Sequence, residues 1–369
     1  MMGVSGYNSL IIILIFGSLA MLSFLKITNP LNVNKKANFF FGIFLFLWST
    51  FWIDEIALYL GSTSLNKSLN LFFHFIQFST ALVFYFSVVF FTNPNYKFNR
   101  YDFKYLILPI IFLFVLIVRL GEESAYLKFL SIVLILVQSL FYVTASYLKI
   151  RKHKKNTVVF SSNANEIDLR WLEYIILWIM FMSVIISLYN VFFYSSKQNL
   201  FINATSLIII FIVAYYSLKQ KEIFPLNETQ RSEIISMNEQ QELMAVKRKV
   251  VSDEELLILK SELNRIMLES EPYLDSELNL IKLSALVNRT PHQVSYAINA
   301  GFNENFFQFI NKYRVSKAKE LLLNAEMGNL SMLGIAYESG FNSKTSFNNT
   351  FKKVTNQTPS EFKKNSSKL

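Results

Sequence analysis

Long apolar runs in the first 220 residues place the tightest constraint on how this chain can fold. Each run is close to the length of about 20 helical residues that crosses a hydrocarbon core of about 30 Å. A backbone in lipid must satisfy its own hydrogen bonds, so each run is predicted to be a helix. We predict seven membrane-spanning helices, at residues 8–24, 38–58, 69–91, 101–118, 126–148, 171–193 and 200–218.

The composition agrees with a membrane-embedded domain. Hydrophobic residues make up 52% of the 369 residues and charged residues 17%, and the mean hydropathy is +0.33. These values are too apolar for an ordinary soluble protein. The chain has no cysteine, which excludes disulfides and thiolate metal sites. No Lys or Arg precedes the first run, so we expect a retained helix rather than a cleaved signal peptide.

The distribution of Lys and Arg between the loops predicts the orientation. The segments after the first, third, fifth and seventh runs hold most of the cations of this region, whereas the alternate loops hold four: Lys67, Arg119, Lys128 and Lys197. By the positive-inside rule, the N-terminus is outside and the C-terminus is cytoplasmic. We expect a multi-pass protein of the cytoplasmic membrane.

A few polar residues in or near the apolar runs are candidates for sensing or for interhelical hydrogen bonds. They are His74, Gln77, Gln138, Glu173 and Asn190. A second set is expected to lie at the outer interface: Asp54, Glu55, Arg119, Glu122 and Glu123. The sequence has no HExxH motif, P-loop or Gly-rich nucleotide loop. We therefore predict no catalytic residue, no metal site and no cofactor.

The sequence becomes polar after the seventh run. Residues 220–252 are rich in Glu, Gln, Asn, Lys and Ser, and we interpret them as a linker. A connecting helix is predicted at residues 253–271, where Ser252 and Glu255 have the spacing of a capping box. Its apolar seam either packs on the C-terminal domain or dimerises, and its length of two heptads favours packing. The seam consists of Leu256, Leu259, Leu263 and Ile266.

Residues 331–354 have the pattern of a helix-turn-helix unit. Apolar residues at helical spacing precede Gly340, which can adopt the positive φ of a sharp turn. Ser343 is then placed to cap a second helix that buries Phe347 and Phe351. The opposite face of that helix carries side chains suited to DNA bases and phosphates. They are Lys344, Thr345, Asn348, Asn349, Lys352 and Lys353.

Residues 280–299 repeat this pattern upstream. Asn288 is placed at the left-handed turn position, Thr290 at the cap and Pro291 in the first turn of the second helix. The side chains left outside are His292, Gln293, Ser295, Tyr296 and Asn299. Between the two units, residues 306–324 are predicted to form an amphipathic helix with one apolar stripe. The stripe comprises Phe306, Phe309, Ile310, Tyr313, Ala318, Leu321 and Leu322.

From about Pro272 to Lys364 the sequence closely resembles the DNA-binding domain of the AraC family of bacterial transcription regulators. The matching residues run in order through both units and the helix between them. They are Ser284-Ala285, Phe309-Ile310-Asn311, Tyr313-Arg314, Ile335-Ala336, Gly340-Phe341, Phe347, Phe351-Lys352-Lys353 and Thr358-Pro359-Ser360. Asn356 stands where the family usually has Gly, and we expect the turn to survive because Asn tolerates the left-handed conformation. The resemblance implies a domain at residues 272–366.

The resemblance further implies that each unit presents one recognition helix, and that the two helices reach major grooves about 34 Å apart. The positions implied to read bases are His292, Gln293, Tyr296, Lys344, Thr345, Ser346 and Asn349. Those implied to contact phosphates are Ser295, Asn348, Lys352 and Lys353. Alternative interpretations stay open: Tyr296 as a packing residue, His292 as an exposed residue without a base contact, and the two lysines as a solvated face.

The sequence therefore predicts an all-α protein, with a seven-helix transmembrane domain at residues 1–219 and a cytoplasmic domain of two helix-turn-helix units. The expected function is a membrane-bound one-component transcription regulator, not an enzyme. Its expected partners are double-stranded promoter DNA, RNA polymerase, the membrane, a second copy of the chain and an unidentified stimulus. The alternatives are a seven-helix transporter or receptor whose cytoplasmic tail binds a protein, and an intramembrane enzyme with a regulatory tail.

Overall fold

The computed structural model describes residues 4–61, 66–121, 124–160, 162, 169–192, 200–220, 252–324 and 330–366. The side chains of residues 4–5, 155–160 and 182–192 are not included in this description. Within the described residues, every regular element longer than one residue is a helix. This confirms the predicted all-α fold class. The chain divides into two compact units. One contains residues 1–152 and 169–223, and the other contains residues 153–168 and 224–369.

The helices of the first unit follow the apolar runs of the sequence. They are α1 (Val4–Thr28), α2 (Lys35–Ser49), α3 (Ile53–Tyr59), α4 (Lys67–Thr92), α5 (Ile107–Gly121), α6 (Ala125–Phe160), α7 (Arg170–Phe192) and α8 (Leu200–Lys219). Among the described residues, six helical stretches are long and apolar enough to cross a membrane. They are Gly6–Thr28, Lys35–Tyr59, Lys67–Thr92, Arg100–Gly121, Ala125–Lys154 and Leu200–Lys219. The sixth predicted span falls on α7, which is not among these six.

The second apolar run, predicted as one helix, is interrupted by a 3₁₀ turn at Thr50–Trp52. The hydroxyl of Ser49 donates to the carbonyl oxygen of Phe46 at 2.6 Å, and that of Thr50 donates to Leu47 at 2.6 Å. Serine and threonine hydroxyls that bond back to helix carbonyls bend helices, which accounts for the interruption.

Polar side chains connect helices within the otherwise apolar first unit. Nζ of Lys26 on α1 donates to the carbonyl oxygen of Ser217, at the last turn of α8, over 2.5 Å. Nε1 of Trp52 donates to Oδ1 of Asn203 at 2.9 Å, and Nδ2 of Asn203 donates to Oδ1 of Asn8 at 2.9 Å. These bonds connect the helices in addition to their apolar packing.

The second unit contains seven α-helices among its described residues outside α6. They are α9 (Asp253–Glu269), α10 (Leu280–Leu286), α11 (Pro291–Phe302), α12 (Phe306–Leu323), α13 (Met332–Glu338), α14 (Lys344–Thr355) and α15 (Pro359–Ser366). A 3₁₀ turn at Pro272–Leu274 joins α9 to the following segment. The last residues of α6, from His153 onward, also belong to this unit.

Helix α9 packs against α11 through the seam identified in the sequence. Leu259, Leu263 and Ile266 are buried there. The seam is therefore part of the core of this unit, as the packing interpretation predicts. The capping box is confirmed, since Ser252 and Glu255 exchange hydrogen bonds of 3.2 and 3.3 Å.

Candidate nucleic-acid interface

The first helix-turn-helix unit consists of α10, α11 and the turn between them. Asn288 occupies the turn with a φ of 51°, which confirms its predicted left-handed conformation. Thr290 caps α11, because its hydroxyl accepts a hydrogen bond from the backbone of Gln293 at 3.3 Å. Pro291 takes the first position of the helix, where no backbone donor is required. These local interactions fix the direction in which α11 leaves the turn.

Helix α11 presents part of the predicted outward face. Val294 and Ile298 are completely buried, while His292 and Tyr296 are half-buried. Ser295 is only 2% exposed, so its side chain lies inside the domain rather than at a DNA-facing surface. We therefore remove Ser295 from the set of phosphate contacts.

Gln293 has a structural role that the sequence analysis missed. Its side-chain carbonyl oxygen accepts hydrogen bonds from the backbone nitrogen and the hydroxyl of Thr290, both at 3.0 Å. This reciprocal pair is a capping box. The Thr-x-x-Gln spacing was a signal from which the role could have been predicted. Any base contact by Gln293 would then use its amide nitrogen.

The second unit consists of α13, α14 and a turn at Gly340. Ser331 caps α13, and Ser343 caps α14 by accepting from the backbone nitrogen of Ser346 at 3.2 Å. Gly340 has a φ of +82°, and Asn356 ends α14 with a φ of 60°. Both left-handed positions confirm the sequence predictions. The turn at Asn356 therefore survives with Asn at the position where the AraC family usually has Gly.

Helix α14 has two chemically distinct faces. Phe347 and Phe351 are completely buried in the core formed with α12, α13 and α15. The opposite face exposes two basic residues in the last turn and three polar or basic residues nearer the start of the helix. Asn348 lies beside them and is half-buried. The exposed residues are Lys344, Thr345, Asn349, Lys352 and Lys353.

Ser346 does not lie on this exposed face. It is 3% exposed, at a position between the two buried phenylalanines and the helix cap. A side chain so far inside the domain cannot reach a base edge while the domain keeps this fold. We therefore remove Ser346 from the base-reading set.

Arg289 is a further cation at this surface that the sequence analysis did not select. It is exposed, immediately before the N-terminus of α11. Together with Thr290, Gln293 and Glu255 it lines an open cleft of about 600 Å³. A helix N-terminus beside a guanidinium favours an anion such as a DNA phosphate.

The helix that joins the two units, α12, buries both the predicted apolar stripe and two polar residues. Of the stripe, Phe306, Phe309 and Ile310 are buried, whereas Tyr313 is half-buried. Arg314 is completely buried and Asn311 is 2% exposed. Arg314 lies four residues after Ile310 and four before Ala318, a spacing from which its burial could have been predicted.

Arg314 connects the central helix to segments on both sides of it. Its Nε donates to the carbonyl oxygen of Tyr273 at 2.8 Å, and its Nη2 donates to that of Asp275 at 2.9 Å. Its guanidinium lies 5.8 Å from the ring centre of Phe341, beside the turn of the second unit. Burial lowers the pKa of Arg314 from its ordinary value to about 10, and the nearby carboxylates of Asp275 and Glu277 oppose this effect. The group therefore stays cationic at neutral pH.

The candidate sensing residues lie in the first unit. Gln77 is half-buried and donates to the carbonyl oxygen of Thr50 at 3.1 Å, and buried Gln138 donates to that of Phe78 at 2.7 Å. His74 is half-buried on α4, and Glu173 is buried on α7. Asn190 is in α7, but its side chain is outside the described residues. The two glutamines thus make interhelical hydrogen bonds.

Comparison with known families agrees with this geometry. Residues 283–365 match a protein-family model described as a helix-turn-helix domain. The C-terminal part of the chain is therefore a helix-turn-helix domain of the kind used for sequence-specific DNA binding in transcription regulation. The match supports the resemblance to AraC-family regulators, and it covers less than a quarter of the chain. No curated protein and no solved structure matches the chain.

Proposed function

We propose that this protein is a membrane-bound, one-component transcription regulator. Its apolar helices anchor it in the membrane, and its AraC-type domain binds a promoter from the cytoplasmic side. The observation that carries the proposal is the surface of α14, where exposed polar and basic side chains stand opposite Phe347 and Phe351, which are completely buried. A helix anchored in this way presents a rigid set of donors and acceptors to the major groove.

The proposed DNA contacts follow from exposure and chemistry. Base edges are read by residues of both recognition helices, and phosphates are bound by residues on or beside those helices. The proposed base-reading residues are His292, Gln293 through its amide nitrogen, Tyr296, Lys344, Thr345 and Asn349. The proposed phosphate contacts are Arg289, Asn348, Lys352 and Lys353.

The membrane part of the proposal rests on the six long apolar helices and on large apolar side chains that face outward from them. On α5, for example, Ile110, Phe114 and Ile117 are 56–67% exposed. Lipid is the environment in which such a surface is stable. The Lys and Arg distribution supports a cytoplasmic position for the C-terminal domain, and promoter DNA is found in that compartment.

We further propose that the membrane unit responds to a stimulus and alters how the DNA-binding domains are presented or paired. A homodimer would bring two domains to one promoter, and anchoring raises their local concentration, so a weak dimer contact suffices. Bound at a promoter, the domain would act on RNA polymerase.

Selection of bound sequences from random DNA, followed by titration, tests the proposed function. The complete chain in lipid nanodiscs is used, so that both units are present. We expect one enriched motif with two half-sites about 10 base pairs apart, bound at least about a thousandfold more tightly than random DNA. Binding with no sequence preference would contradict the proposal, and it would favour the transporter or receptor alternative.

A further inference from the structure

Ser162, from the sequence between α6 and α7, is bound within the DNA-binding domain. Its hydroxyl donates to the carbonyl oxygen of Leu278 at 2.6 Å and accepts from Nη2 of Arg314 at 3.1 Å. Its backbone oxygen accepts from Nδ2 of Asn311 at 3.1 Å. Ser162 is 1% exposed, and both of its side-chain partners on α12 are also buried. Ser162 thus makes three hydrogen bonds, to partners in two other segments of the same unit.

The partners of Ser162 belong to different parts of the DNA-binding domain. Leu278 lies just before the first helix-turn-helix unit, and Asn311 and Arg314 lie on the helix between the units. Through Phe341, the guanidinium of Arg314 also reaches the turn of the second unit. Ser162 therefore completes a buried network that spans both units, and such networks fix relative positions because each broken bond leaves a buried polar group unsatisfied.

Ser162 is also close in sequence to an apolar helix that is proposed to span the membrane. Helix α6 has 36 residues and ends at Phe160, two residues earlier. Its length is about 54 Å, whereas the hydrocarbon core needs about 30 Å. The second compact unit begins within this helix, at His153. A displacement of α6 along its axis is therefore transmitted to Ser162 through a short covalent path.

We propose that Ser162 is an internal ligand of the DNA-binding domain, and that its binding to Asn311 and Arg314 holds the two helix-turn-helix units at the spacing that DNA requires. On this proposal, a stimulus that moves α6 withdraws Ser162 and weakens binding to the promoter. The signal then passes through the α6–α7 connection. The regulatory part of this inference rests on the proposed function.

The contact itself is tested without DNA, by engineered disulfide formation in the complete chain. The natural sequence has no cysteine, so Ser162→Cys with Asn311→Cys creates one pair. A protease site inserted into residues 221–251 lets the two fragments separate unless they are cross-linked. We expect the fragments to stay joined after mild oxidation. The matched control pairs Ser162→Cys with Lys312→Cys, at an exposed neighbouring position, and should not cross-link. Equal cross-linking in both pairs, or in neither, would overturn the proposed contact.

The role in spacing is tested by Ser162→Ala, with Ser261→Ala as the control. Ser261 is an exposed serine on α9 whose hydroxyl bonds within its own helix. Ser162→Ala removes the hydroxyl's bonds to Leu278 and Arg314, and Nη2 of Arg314 keeps its bond to Asp275. We expect this variant to weaken binding to a DNA site with both half-sites about three- to tenfold. Binding to a single half-site should change less, because spacing between units does not matter there.

The outcomes distinguish the spacing role of Ser162 from the proposed function of the protein. Equal affinity of Ser162→Ala and the natural protein for the complete site would overturn the spacing role, and so would an equal loss on complete and half-sites. If the natural protein shows no sequence preference, the proposed function fails, while cross-linking still decides whether Ser162 binds the domain.

Discussion

The backbone of Gly340 lies directly against the carbonyl oxygen of Tyr273, leaving no space for a Cβ atom. Gly340 forms the turn of the second helix-turn-helix unit, and Tyr273 lies in the 3₁₀ turn that precedes the first. The same carbonyl oxygen accepts a hydrogen bond from Arg314. The glycine is thus required for two reasons: its φ of +82° and the close approach of another backbone.

Gly340→Ala is expected to destabilise the DNA-binding domain by at least about 2–3 kcal/mol, because the cost of a positive φ and the cost of a backbone clash add to each other. Hydrogen exchange of the α14 amides measures the free energy of local opening. Gly301→Ala is the control, since a Cβ there would meet the side chain of Lys260 at an ordinary 3.5 Å. That variant should be neutral, or more stable by about 0.5–1 kcal/mol, because alanine favours the helix. Similar free energies of opening for the two variants would contradict the structural role of Gly340.

Asn349→Ala is expected to weaken binding to the selected promoter by about 1–3 kcal/mol and to relax the preference at one base position. Asn349 is exposed on α14, and its amide can pair with the edge of adenine. Competition titrations measure the affinity and the base preference, with competitor sites that carry each of the four bases at every position. Asn365→Ala, an exposed asparagine on α15, is the control. An unchanged base preference would exclude a base-reading role for Asn349.

Lys352→Gln is expected to weaken binding to all DNA sequences to a similar extent, because a phosphate contact carries no sequence information. Residues 262–369 have a net charge of only +3, so local contacts matter more than the overall charge. With about six phosphate contacts, the slope of log K against log salt should be about −5 and should become about one unit less steep in the variant. Lys312→Gln, on exposed Lys312 of α12, should leave the slope unchanged. A slope that Lys352→Gln does not alter would contradict the contact.

Glu271→Gln is expected to remove part of the pH dependence of stability. The hydroxyl of Tyr273 donates to the Glu271 carboxylate at 2.6 Å, and Lys317 contacts it at 3.3 Å. These interactions lower the pKa of Glu271 below its ordinary 4.5. The charged form therefore stabilises the fold above pH 4.5, and this stability is lost as pH falls through the lower, folded-state pKa.

The measurement is the free energy of opening of the domain at pH 7 and at acidic pH, from hydrogen exchange corrected for intrinsic rates. The natural protein should lose more stability than Glu271→Gln on acidification, by less than about 1 kcal/mol because the carboxylate is partly exposed. Parallel pH curves for the two proteins would show that the Glu271 interactions do not contribute.

Single engineered cysteines test the proposed orientation, since the chain has none of its own. Leu60→Cys, at a position 78% exposed after α3, should react with an impermeant thiol reagent in intact cells. Ser360→Cys, at an exposed position on α15, should react only after the membrane is opened. Labelling of Ser360→Cys in intact cells would place the DNA-binding domain on the wrong side of the membrane and end the proposed function.

Much of the helix-turn-helix architecture could be predicted because it depends on neighbours in sequence. Asn288, Gly340 and Asn356 adopt positive φ because glycine and asparagine tolerate it, and Thr290 and Ser343 cap helices with their own side chains. The all-α fold could be predicted from apolar periodicity and run length because these also depend on residues close in sequence. The interruption at Thr50–Trp52 was also local, and the Ser49-Thr50 pair was its signal.

The sequence alone therefore determined the helices, their caps and the presence of two matched units. Only the tertiary structure decided which polar side chains reach the surface, since burial depends on helices distant in sequence. It placed Ser295 and Ser346 inside the domain and Arg314 at its centre. The bond between Ser162 and Arg314 joins residues 152 positions apart, a separation at which no local pattern exists because the contact is made by packing.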